Sequence, residues 1–168
     1  GDYPTLPEVD RIHLATEAMR RAARDRATRL GDPDFVDVPV ALLTSRDYAA
    51  GLRAGIHPTR ATPSDMLPGV ATGASRPDTT HFSIIDAEGN LAAVTQTVNL
   101  PYGNAVVVAG TGFLLNNEMN DFSVKPGVPN AFGLVGDEAN AIALGKRALL
   151  SMTTTFLFGK DGVVVIGT

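Results

Sequence analysis

Between residues 57 and 78 the chain carries four prolines among scattered Gly, Ser and Thr, a composition that defeats both helical and strand periodicity. What folds on either side must therefore be built separately, and the two sides differ in texture. A stretch this long without periodic structure is unusual inside a compact domain, where it serves as a functional loop, a linker or a processing site.

Upstream, Thr5-Leu6-Pro7-Glu8 predicts a helix start, with the Thr5 hydroxyl as N-cap, a proline whose missing N–H is harmless in the first turn, and a carboxylate favoured by the helix dipole. Val9, Ile12, Thr16, Met19, Ala23, Ala27 and Leu30 recur at three- and four-residue spacing and form the expected packing face. Arg11, Arg20, Arg21, Arg24, Asp25 and Arg29 mostly fall elsewhere on the wheel. Gly31 suits the residue after the helix end and Pro33 prevents continuation. After an apolar run over residues 35–43, Ser45 is placed to cap a shorter helix that turns Tyr48, Leu52 and Ile56 inward.

Downstream the texture is β. Residues 80–86 and 91–99 are rich in β-branched and apolar side chains around Ala87-Glu88-Gly89, which predicts a hairpin. With Gly89 left-handed in a three-residue loop and Asp86 opposite Asn90, the register sets Thr79 opposite Thr97. His81, Ser83 and Ile85 then share a face with Leu91, Ala93 and Thr95, and since both faces are substantially apolar, a sheet buried on both sides is expected. Residues 105–109 and 112–115 read as further short strands, 126–136 as a Pro/Gly-rich loop and 139–147 as holding a helical turn. Residues 153–158 and 163–166 form a second predicted hairpin around Gly159-Lys160-Asp161-Gly162.

Composition narrows the function classes. With 168 residues, 44% of them apolar, one sizeable core and a single domain over residues 1–168 are expected. The net charge is −4 and the 14 basic residues are dispersed, so no cationic stripe is offered to a nucleic acid. Cysteine is absent, which removes disulfides, thiolate metal sites and a cysteine nucleophile together. No run is long enough for a membrane span, and no signal peptide is expected within these residues. His13, His57 and His81 are too dispersed to suggest a metal site, and no cofactor is called for.

On the residues alone, Thr79-Thr80-His81 is a good strand start, and threonines facing across a hairpin are a common stabilising pair. However, "TTHFSIIDAEGNLAAVTQTVN", then "GTGFLLNNEMNDFSVKPGVPNAFGLVG" and "NAIALGKRALLSM", closely resemble the γ-glutamyltransferase (γ-glutamyltranspeptidase) family. Upstream, "EAMRRAARDRATRLGDPDFVDVPV" is similar to the last part of that family's large subunit. The resemblance implies a four-layer αββα sandwich of the N-terminal-nucleophile hydrolase type, of which this chain holds only part. Residues 1–78, with the linker 57–78, would be the end of the large subunit and residues 79–168 the first part of the small one.

The resemblance also implies a precursor that cuts itself between Asp78 and Thr79. Thr79 would be the nucleophile, with its freed α-amine, which titrates near ~8, as the base. Thr97 corresponds to the threonine that holds the nucleophile's hydroxyl. Asn99, Glu118 and Asp121 correspond to groups that bind the α-ammonium of the γ-glutamyl moiety, and Ser151 to one that binds its carboxylate. Outside the resemblance, Glu118 and Asp121 would be ordinary turn charges. Residues 126–136 resemble a lid with Phe132 as its aromatic, while His81 is expected to be structural.

Two departures stand out. Leu150 occupies the place of the family's first serine in a serine pair, so weaker recognition of glutamate or a change in the acyl group accepted is implied. The family's Pro-Gly-Gly, whose backbone amides form the oxyanion hole, would follow Gly167-Thr168, and its carboxylate-binding arginine would precede this sequence. The implied reaction is transfer of a γ-glutamyl group from glutathione or related amides to water or an amino acid, in a periplasmic or secreted setting. Self-association or pairing with further subunit segments would complete the site. A cephalosporin- or glutaryl-type acylase and an uncleaved, non-catalytic module are the alternatives.

Overall fold

The long helix expected upstream of the proline-rich stretch forms as α1 (Glu8–Arg29) in the computed structural model, which describes residues 3–67, 79–130 and 133–167. It does not begin on Thr5. That residue ends a 3-10 turn, Tyr3–Thr5, and Pro7 flanks the helix without any side-chain cap. Charge substitutes for the cap, because Glu8 and Asp10 lie in the first turn and Arg26 and Arg29 in the last.

Two compact units are present, one of Gly1–Ala74 with Phe122–Leu149 and the other of Ser75–Asp121 with Leu150–Thr168. In the first, α1 presents the opposite face from the one its apolar periodicity suggests. Val9 is 76% and Met19 71% exposed, and Ile12, Thr16 and Ala23 are exposed too, so only Ala27 and Leu30 of the expected stripe turn inward. Glu17, Arg21 and Asp25 are buried in their place. The reason is pairing: Glu17 accepts from Arg20 at 2.7 Å and Arg21 at 2.6 Å, and Asp25 accepts from the Tyr48 hydroxyl at 2.9 Å.

Helix α2 (Val40–Leu43) precedes α3 (Arg46–Ala54), which Ser45 caps by accepting the Tyr48 N–H at 3.1 Å. Tyr48, Leu52 and Ile56 are half-buried, as their spacing predicts. Together α1 and α3 line an apolar cavity of about 750 Å³ that includes Leu14, Ala18, Leu52 and Ile56.

The end of α1 needs glycine for a reason other than handedness. Leu30 closes the helix in extended conformation, and a Cβ on Gly31 would overlap the Ala139 carbonyl. There the Asp137 N–H donates to the Ala27 carbonyl at 3.1 Å. Just beyond, Asp32 takes the Arg147 backbone N–H at 2.8 Å and its guanidinium at 2.5 Å, which holds the carboxyl well below the usual carboxylate range. Of the expected turn over 139–147, only a 3-10 turn at Glu138–Asn140 forms. The 126–136 loop is closed by Gly127 donating to Gly136 at 2.9 Å and Asn130 to Leu134 at 2.9 Å. Phe132 lies outside the described residues.

The second unit contains both hairpins. Strands β1 (Thr79–Ile85) and β2 (Leu91–Thr97) pair antiparallel in the expected register, from Thr79 opposite Thr97 to Ile85 opposite Leu91. Gly89 has φ 84°, and the Asp86 N–H donates to the Asn90 carbonyl at 3.1 Å. Strands β3 (Thr155–Gly159) and β4 (Gly162–Ile166) form the other hairpin, with Lys160-Asp161 at its tip.

The expected burial of both sheet faces is not found among the described residues. Each sheet has two strands, which leaves Phe82, Ile84 and Ile85 exposed on β1 and Leu157 and Phe158 on β3. A two-stranded ribbon cannot cover its own faces. Residues 105–109 and 112–115 likewise reduce to one bridge, Val107 opposite Leu114, flanked by backbone bonds of 2.8 and 2.9 Å. No helix among the described residues is long and apolar enough to cross a membrane.

Candidate active site

Thr79 is the first residue of β1 and Thr97 the last of β2, so the hairpin's open end sets the two threonines directly across from one another. Partners in such a pair have Cβ atoms about 5 Å apart. Both are half-buried, whereas Thr80 and Gln96, one step along and on the other face, are exposed. Period-two alternation thus separates Thr79 from Thr80. Asp78 lies outside the described residues.

Beyond β2 the chain turns sharply. Asn99 has φ 75°, a left-handed conformation that asparagine tolerates better than most residues. Its N–H donates to Thr97 Oγ1 at 2.9 Å, and its Nδ2 donates to the Asn117 carbonyl at 3.1 Å. Asn117 returns the connection, accepting the Leu100 N–H on Oδ1 at 3.1 Å while its own N–H donates to the Val98 carbonyl at 3.3 Å. Segments 97–100 and 116–118 are therefore laced together on both sides. Sequence reasoning passed over Asn116 and Asn117. Their signal is the Asn-Asn pair itself, since asparagine side chains close turns by bonding nearby backbone, as Asn116 does in accepting the Glu118 N–H at 3.0 Å.

That lacing presents the 3-10 turn Glu118–Asp121. Burial, reinforced by a hydrogen bond and charge repulsion from Asp121, pushes the Glu118 carboxyl up to about 7. A cation placed beside Glu118 would offset that repulsion and let its carboxyl ionise.

The geometry thus connects Thr79, Thr97, Asn99, Glu118 and Asp121 through strand register and short hydrogen bonds within one unit. Ser151 belongs to the same unit, exposed in the segment that leads into β3. Leu150 beside it is 54% exposed. His81 is occupied on both ring nitrogens, by Thr95 Oγ1 at 2.7 Å and Ser83 Oγ at 3.0 Å, and Thr95 continues to Thr154 at 3.2 Å. This is the scaffold position expected for it.

A family model described as Gamma-glutamyltranspeptidase matches residues 3–168, and the chain belongs to that family. Among curated relatives, a glutathione hydrolase proenzyme of Pseudomonas aeruginosa is 51% identical over 94% of this chain and 28% of its own length. An acylase ACY 1 proenzyme from a Pseudomonas species is 41% identical over 86% of this chain and 24% of its own length. A solved γ-glutamyltranspeptidase from Pseudomonas nitroreducens, complexed with L-DON, is 56% identical, with a TM-score of 0.47 over 50% of this chain and 44% of that one. The chain spans 28% of the length of the first curated relatives it matches.

Proposed function

We propose that this chain is the part of a γ-glutamyltransferase that carries the nucleophile and the γ-glutamyl ammonium site, and that the whole protein hydrolyses or transfers the γ-glutamyl group of glutathione and related amides. The observation that carries the reading is the placement of Thr79 at the start of β1 opposite Thr97, in a unit where Asn99 joins Thr97 to the Glu118–Asp121 turn. The name of the Pseudomonas aeruginosa relative, a glutathione hydrolase proenzyme, supports both the substrate class and the self-processing.

In this reading the Asp78–Thr79 bond is cut first. While Thr79 is in peptide linkage its nitrogen is an amide and accepts no proton; once freed, the α-amine titrates near ~8, takes the hydroxyl proton as Oγ1 attacks the γ-amide carbonyl, and returns it to the donor's amine, which leaves as the C–N bond breaks and the threonine ester forms. Thr97 orients that hydroxyl. Asn99, Glu118 and Asp121 take the donor's α-ammonium and Ser151 its carboxylate, while the acceptor is water or an amino acid. The chain fits a four-layer αββα sandwich as half-sheets, which the open apolar faces of both hairpins support. Pairing with further segments or with a second copy would cover those faces, and the family resemblance supports export.

Intact mass with N-terminal sequencing during incubation tests the reading. Two pieces with a new terminus at Thr79 are expected from the wild type and none from Thr79→Ala. In the parent protein a γ-glutamyl anilide should release its chromophore only after the cut. A single chain that persists at full mass sinks the nucleophile assignment. The acylase relative and the exposed Leu150 favour a second reading, cleavage of glutaryl amides, and activity confined to those would select it.

A further inference from the structure

The His81 imidazole is held on three sides. Nδ1 meets Thr95 Oγ1 at 2.7 Å and Nε2 meets Ser83 Oγ at 3.0 Å. Both partners are hydroxyls, each able to donate and to accept, so the neutral ring is satisfied in either tautomer. The third contact is steric. A Cβ on Gly167 would overlap Nδ1, Cε1 and Cγ of the ring, so the imidazole lies against that glycine's backbone.

These contacts join the two hairpins inside one unit. His81 and Thr95 are cross-strand partners on β1 and β2, while Thr154 and Gly167 lie immediately outside the Thr155–Ile166 pair that ends the β3–β4 ladder. Thr95 Oγ1 also bonds Thr154 Oγ1 at 3.2 Å, which fastens one cross-strand pair of the first hairpin to the open end of the second. On the same face of β1 and β2 the next pair is Thr79 and Thr97, and all four residues are half-buried. A two-stranded ribbon is marginal by itself, and its ends are the first part to open. An anchor this close to the open end therefore acts where the ribbon is weakest.

We propose that His81 is a positioning residue for Thr79: wedged against Gly167 and bonded to Thr95, it ties the β1–β2 ribbon to the second hairpin one same-face pair from Thr79 and Thr97, and so fixes the spacing at which Thr97 orients the nucleophile's hydroxyl. The inference rests on the nucleophile reading above. It concerns the geometry of attack more than donor recognition, because the segments that carry Asn99 and lead into the Glu118–Asp121 turn are laced to each other by their own bonds. The loss on breaking the anchor should fall on kcat. Displacing reacting groups by about 1 Å costs on the order of a hundredfold, and a loosened ribbon should cost roughly tenfold.

The parent protein tests this as wild type, His81→Ala, Gly167→Ala, the two combined, Thr95→Val and Thr95→Ser, with kcat and KM on a γ-glutamyl anilide and a thermal melt of each. Gly167 is not left-handed, so the methyl of alanine meets the ring and not a backbone restraint. The expected result is a roughly tenfold lower kcat in both single alanine variants and in Thr95→Val, with KM within about twofold. Thr95→Ser should keep the wild-type kcat, and Gly167→Ala should cost nothing further once His81→Ala has removed the ring. Rescue by serine separates positioning from loss of fold, because only the hydroxyl returns. Unchanged kcat in folded variants, a loss carried by KM, or a Thr95→Ser variant as poor as Thr95→Val overturns the positioning role. Losses at 81 and 167 that multiply overturn the contact on which it depends. Any of these in a protein that Thr79→Ala inactivates removes this role alone, whereas full turnover in Thr79→Ala removes the nucleophile reading and this role with it.

Discussion

At Glu118, which the proposed reading places at the donor's α-ammonium, a raised carboxyl would tie recognition to pH. An acid whose pKa is raised from its ordinary 4.5 to about 7 favours the folded state at low pH, and that contribution fades as pH climbs from about 4.5 through 7. In the proposed reading, binding of an ammonium group runs the other way, since it needs the Glu118 carboxylate ionised. The KM for a γ-glutamyl donor should therefore fall as pH rises through about 7. Glu118→Gln should raise KM roughly tenfold, a typical loss for a charge-assisted bond, and flatten its pH dependence below 7. A KM profile that keeps its slope in Glu118→Gln would remove the pair from substrate recognition. The two acids were legible as candidate site residues only through their resemblance to a family motif. The raised Glu118 carboxyl depends on burial beside Asp121, in a turn that Asn116 helps to close, and no spacing in the sequence announces it.

At the scale of elements, α1 shows where periodicity misleads. Its apolar stripe is real in sequence, yet α3 and the 57–67 segment pack on the face of Glu17, Arg21 and Asp25. Spacing reports which residues share a face; which face is covered is settled by the partners available. The hairpins were easier, since β1 and β2 depend on local signals: alternation, a turn glycine and the Asp86 and Asn90 pair. Two glycines separate local from tertiary control. On α3, Gly51 has open space around a hypothetical Cβ, so Gly51→Ala should stabilise by about 0.5–1 kcal/mol. At Gly31 the same change drives a methyl into the Ala139 carbonyl and should destabilise by about 2 kcal/mol. Thermal melts of the two variants, expected to shift in opposite directions, check this; a neutral Gly31→Ala would mean the 137–140 turn yields easily.

For the whole molecule, open sheet faces dominate. Ile85 is 70% and Phe158 76% exposed, and Phe82, Ile84 and Leu157 add to the uncovered apolar surface. Such surface on an isolated chain should bind a hydrophobic dye and drive concentration-dependent association, both reduced by Ile85→Lys. Sedimentation showing a strict monomer at all concentrations, with no dye signal, would contradict this. Most of the element order, the β1–β2 register and the Thr79–Thr97 pairing were decided by sequence alone, because turns, alternation and caps act over a few residues. The buried face of α1, its bonds to Thr62 and the close approach at Gly31 were decided only by tertiary structure. Each depends on groups far apart in sequence meeting in close contact, so that charge, shape and burial are fixed together.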